Sequence, residues 1–177
     1  MPRPGKILST SFYQLYVINP IICPIQTKKS IAMSKDLTFS INSTSESSAR
    51  TRVSTRGFDL IVDEPEALGG TDHAPNPVEY ILAGYAGCIN VVAHLVAKEL
   101  DFELKNFKVD IQGTINPERL FGQSYQERAG YKSLEVVLQT SSEIDPGTRK
   151  KWLDEVENRC PVNDNLSNPT PIKFSLN

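Results

Sequence analysis

"NPVEYILAGYAGCINVVAHLVAKEL", residues 76–100, is the stretch that decides the fold. Asn76 followed by Pro77 reads as a helix start. Asn is a strong N-cap, and Pro suits the first helical position because its N–H would have no partner there. Val78, Ile81, Leu82, Tyr85, Ile89, Val92 and Val96 recur at three- and four-residue spacing and share one face. The other side is uncharged too, with Ala83, Gly84, Gly87, Cys88, Val91 and Leu95. From Tyr80 to Ala97, 18 residues pass without Asp, Glu, Lys or Arg. A membrane span is one source of such a run. Gly84, Gly87, Asn90 and His94 dilute it, however, and amphipathic strands follow it. The run is therefore read as a buried central helix, apolar all round. Its small residues admit a second backbone. A 177-residue monomer rarely encloses a helix on every side, so a partner subunit is expected to cover part of it.

The flanks fill in the fold class. "LTFSIN" (37–42) alternates apolar and polar residues and reads as a strand, followed by a polar loop, "STSESSARTR" (43–52). "FDLIVDE" (58–64) is a second strand, and "PEALGGTDHAPNP" (65–77) is loop. After the helix, residues 102–115 and 131–141 read as strands, joined by a loop with about one helical turn. Asp145 and Pro146 start a second helix that runs to Cys160, with Trp152, Leu153, Val156 and Cys160 on its apolar face. Pro161 is expected to end it. "PIKFSLN" (171–177) closes as a strand. Strands, long helix, strands, helix, strand is an α+β order.

Composition narrows the function classes. The chain is 39% hydrophobic and 23% charged, with a formal net charge of -2. That suits one globular domain, and there is no basic field for nucleic acid. Residues 1–32 stand apart. They hold Arg3, Lys6, Lys28 and Lys29 and no acid, and Pro20 and Pro24 interrupt their apolar stretches. They are read as a flexible arm or an over-extended start, with the folded domain expected over 33–177. Without those four, 15 of the 19 basic residues face 21 acids. The three cysteines, Cys23, Cys88 and Cys160, are too few and odd in number for a secreted disulfide framework. Free thiols in a reducing cytoplasm are the simpler reading.

Cys88 and Cys160 both sit on apolar helix faces, where a free cysteine packs as a small hydrophobe. Metal binding needs more ligands. With two histidines and no CxxC, no metal or cofactor is expected. His94 is expected to be a buried, hydrogen-bonded histidine, since six residues from Cys88 is not a same-face spacing.

Two segments together carry a resemblance: "DEPEALGGTDHAPNPVEYILAGYAGC" (63–88) and "VENRCPVNDNLSNPTPI" (156–172). A GG-containing loop, an N-P helix start, a small-residue run ending in Gly-Cys and a later helix ending in Cys-Pro resemble the OsmC/Ohr family. That family contains osmotically inducible protein C and the organic hydroperoxide resistance proteins. The likeness spans roughly 37–177 in element order. It implies an intertwined homodimer whose antiparallel sheets wrap long central helices. It also implies a thiol-dependent peroxidase acting on organic hydroperoxides or hydrogen peroxide in oxidative or osmotic stress. Cys88 would be the peroxidatic thiol, Cys160 the resolving one, and an external dithiol the reductant. The alternative is a non-catalytic family member that binds a small apolar ligand in the dimer cleft.

The chain departs from the family pattern at one point. In the characterised peroxidases an Arg from the N-terminal β region holds the thiolate, and a carboxylate early in the central helix orients that Arg. The matching position here is Val78. Glu79 lies one residue later, about 100° round the helix, either as a displaced substitute or as an acid favoured near a helix N-terminus. The cation candidates are Arg50, Arg52 and Arg56, of which Arg56 abuts the matching strand, and Arg128 in the later loop.

Overall fold

A computed structural model describes residues 36–176. The chain divides into two compact units, residues 1–39 and 40–177. Of the first, only residues 36–39 are described. The arm expected over 1–32, its boundary at 33 and Cys23 lie outside the described residues. The second unit carries everything below.

Helix α1 (Pro77–Glu99) starts as its sequence dictates. Asn76 accepts the Glu79 N–H, and the Glu79 carboxylate accepts the Asn76 N–H in return, at 2.9 and 2.8 Å. This capping box satisfies two otherwise orphaned donors. The buried residues of α1 are Tyr85, Ile89, Val92, Ala93, Val96 and Ala97. They pack on Trp152 and Val156 of α2 (Pro146–Arg159) and on Cys160. Trp152 is the anchor. Its Nε1 donates to the Ala93 carbonyl at 3.0 Å, and its ring meets Phe102 and Phe107 edge-on.

The strands form two antiparallel sheets. In one, β1 (Asn42–Ser45), β2 (Thr51–Thr55) and β3 (Phe58–Val62) follow in chain order. In the other, β4 (Lys108–Thr114) pairs with β5 (Ser133–Gln139), Ile111 opposite Val136. The alternate residues Val109, Ile111, Leu134, Val136 and Leu138 turn toward the α1–α2 core. The architecture is α+β, with antiparallel sheets against helices.

Several boundaries move. The first strand lies at 42–45, sharing only Asn42 with the expected strand and otherwise inside the expected polar loop, because hairpin pairing with β2 sets it and apolar alternation does not. The strand expected from 102 starts at Lys108. "PIKFSLN" is not a strand over its described residues. Ile172, Phe174 and Leu176 are 77, 93 and 100% exposed, and the segment pairs with neither described sheet. Pro161 does end α2, but it also opens a third helix, α3 (Pro161–Ser167), by the same first-position preference. His94 is exposed, bonded to the Asn90 carbonyl. One side of α1 stays open. Among the described residues, no atom beyond the neighbouring backbone of α1 lies within 4 Å of a Cβ built on Gly84 or Gly87, and Val91 and Leu95 are exposed.

Asp63 organises the loop between β3 and α1. It is 1% exposed, and its carboxylate accepts from the Thr71 hydroxyl and from the N–H groups of Glu64, Thr71 and His73. The Thr71 hydroxyl, followed by these amides, holds its pKa far below the usual carboxylate range. A depressed folded pKa contributes stability that is present above about pH 4 and lost as the pH falls below it. Asp63→Asn is therefore expected to lower the melting temperature by several degrees at pH 7, with the gap to wild type shrinking in acid. Thermal melts of both proteins across pH 2–7 check this.

Candidate functional site

The central helix and one helix junction bring the thiols together. Cys88 lies in the middle of α1. Cys160 ends α2 and caps α3, with φ -81° and ψ 110°, and its Sγ accepts the Asn163 N–H at 3.4 Å. The Cys-Pro pair makes the break, because proline forbids a regular continuation and fits as the first residue of α3. The two sulfurs stand 2.7 Å apart across 72 residues of sequence, with both thiols free. Cys160 is 1% exposed and Cys88 is half-buried.

The environment favours a neutral Cys88 thiol. Burial first, then the hydrogen bond from Cys160, pushes the Cys88 thiol above its ordinary pKa. The Val162 N–H works in the opposite direction. Tyr85, one turn before Cys88, donates its hydroxyl to Asn163 Oδ1 at 2.6 Å. Its own pKa is raised by burial and by Cys160, Glu157 and Cys88. Asn163 is pinned on three sides: by Tyr85, by the Cys160 sulfur and by the Glu157 carbonyl at 3.0 Å. Tyr85 and Asn163 were missed as site residues by sequence reasoning. Tyr85 could be found three positions before Cys88; Asn163 required reading Pro161 as a helix start.

Behind Cys160 opens a cleft of about 660 Å³, between α1, β5, α2 and α3. Tyr85, Cys160 and Asn163 stand on its wall, as does Arg128.

The family model for OsmC-like proteins matches residues 70–175, from the GG loop through both cysteines. The chain belongs to the OsmC-like family. Solved structures share the fold of this OsmC-like chain. An OsmC-like protein from Mycoplasma pneumoniae superposes with a TM-score of 0.65 at 18% identity, covering 75% of this chain and 89% of that one. The organic hydroperoxide resistance protein OsmC of Legionella pneumophila gives 0.52 at 21% identity, over 72% and 88%. The organic hydroperoxide resistance protein OhrB of Bacillus subtilis gives 0.51 at 19%, over 72% and 89%. No curated protein sequence matches. By length and composition α1 could cross a membrane; in this OsmC-like fold it is the helix around which the core packs.

The remaining residues singled out from the sequence are not gathered at the sulfurs of this OsmC-like chain. Glu79 is engaged in the capping box. Arg56 occupies the β2–β3 turn with φ 49°, beside Gly57 at 86°, and its guanidinium lies 5.7 Å from the Phe58 ring centre. Two positive φ values are what a two-residue I′ hairpin turn requires. Arg52 pairs with Glu46 at 2.9 Å. Arg50 reaches Asp63 at 3.4 Å and the Thr71 hydroxyl. Among the described residues no guanidinium bonds either sulfur.

Proposed function

We propose that the protein is a thiol-dependent peroxidase for organic hydroperoxides or hydrogen peroxide. The supporting observation is the 2.7 Å approach of Cys88 and Cys160, within about 1 Å of the length of a disulfide bond. The Cys88 thiolate attacks one peroxide oxygen and the O–O bond breaks. The alkoxide leaves as an alcohol after taking a proton, and Cys88 becomes a sulfenic acid. The Cys160 sulfur then attacks the Cys88 sulfur, water leaves, and a disulfide remains. An external dithiol reduces it by exchange, in a reducing cytoplasm. A second copy covers the open side of α1 and supplies the cation that the protomer lacks at Cys88, with Arg56 first among the candidates.

The test is one equivalent of cumene hydroperoxide added to the reduced protein. Two thiols are expected to disappear per peroxide, with the peptides of Cys88 and Cys160 joined. Surviving thiols would refute the proposal.

The raised thiol of Cys88 favours a second reading, a ligand-binding member without redox turnover. Thiolate absorbance of Cys88, followed against pH in Cys160→Ser, separates the two. The peroxidase requires a pKa below about 7; the ligand-binding reading keeps it above the ordinary thiol value.

A further inference from the structure

Cys160 stands at a corner of the chain. Pro161 brings no N–H to the helical ladder, so the regular bonds of α2 stop there and side chains set the angle of the corner. On one side Asn163 accepts from Tyr85 of α1 at 2.6 Å and donates to the Glu157 carbonyl at 3.0 Å. On the other side the residue just before Cys160 makes a tie of its own. Arg159 Nη1 donates to Glu99 Oε2 at 2.5 Å, and Nη2 donates to Glu99 Oε1 at 3.0 Å. Glu99 is the last residue of α1 and Arg159 the last of α2. Among the described residues this is the ion pair that joins the two helices. A second acid, Glu155 of α2 itself, stands 3.7 Å from Arg159. The hydrogen bond from Arg159 holds the Glu99 carboxyl below its ordinary pKa, and Glu99 raises Arg159 in return.

Two parallel bonds from a planar fork fix direction as well as distance. We propose that Glu99 and Arg159 are positioning residues for the thiol pair: their bidentate bond holds the end of α2 on the end of α1, and so holds the Cys160 sulfur at Cys88. Trp152 and Val156 are buried and keep the helices packed without it, whereas the ion pair is exposed. Loss of the pair therefore loosens the corner and leaves the fold standing. For its consequence in peroxide turnover this role rests on the peroxidase reading; the approach of the two thiols does not.

The test is equilibration of the reduced full-length protein with oxidised and reduced glutathione. Cys88 attacks oxidised glutathione and one glutathione thiol leaves. Cys160 then attacks the mixed disulfide, a second thiol leaves, and the protein disulfide remains. The equilibrium constant reads the effective concentration of one protein thiol at the other. Glu99→Gln and Arg159→Gln are each expected to lower it about threefold to fivefold, as befits an exposed but bidentate pair. The double variant should lose no more than either single one, because both remove the same bond. Arg159→Lys should keep part of the effect. High salt should bring wild type toward the variants, since the pair is exposed. Under peroxide, the Cys88 sulfenic acid of the variants should persist longer, and more of it should reach the sulfinic form. An equilibrium unchanged in both single variants, or losses that add in the double, would overturn the proposal even where the melting temperature falls. Thiols that survive peroxide while the glutathione equilibrium shifts as expected would sink the peroxidase reading and leave the positioning role in place.

Discussion

Cys88→Ser is expected to abolish peroxide-driven thiol loss, with a rate on the order of a thousandfold or more below wild type. A serine hydroxyl at its free pKa is a weak nucleophile, and nothing in the described site would activate it. The remaining Cys160 is 1% exposed and has no second thiol beside it. Cys160→Ser is expected to fail differently. It should consume one equivalent of peroxide and stop, with Cys88 held as a sulfenic acid. Excess peroxide should then carry that acid on to the sulfinic form, which dithiols do not reverse. In wild type the resolving sulfur already lies at 2.7 Å, so disulfide formation should outrun over-oxidation. Stopped-flow peroxide consumption and intact mass for the three proteins check all of this. Equal rates in Cys88→Ser and wild type would remove Cys88 from the chemistry.

Trp152→Ala is expected to give the largest loss of stability, about 3–5 kcal/mol. Its side chain is 4% exposed and touches both Phe102 and Phe107. Truncation leaves a cavity between α1 and α2 and removes the indole N–H bond to the Ala93 carbonyl. Because α2 ends at Cys160, loosening it should also loosen the approach of the two sulfurs. Denaturant melts measure the first effect. Slower disulfide formation per peroxide consumed measures the second. A small shift in the melt with normal disulfide formation would show that Trp152 does not position the thiols.

The sequence alone determined the starts and apolar faces of the two long helices. The Asn76–Pro77 start, the spacing from Tyr85 to Val96 and the Asp145–Pro146 start all rest on short-range rules of capping and periodicity. Such rules act within a few residues and can be read without a fold. The OsmC-like family likeness was also legible, because its two cysteine segments keep their wording.

Tertiary structure decided the rest. That Cys88 meets Cys160 is a contact across 72 residues, and no local rule closes such a loop. Pro161 was read only as a stop, although the first-position preference applied to Pro146 holds for it as well. The strand expected at 171–177 has the right alternation, but a strand exists only where an edge pairs with it, and over its described residues this segment pairs with neither sheet. The cleft with Arg128 on its wall was hidden for the same reason. Its lining comes from four separated elements, and only packing places them around one space.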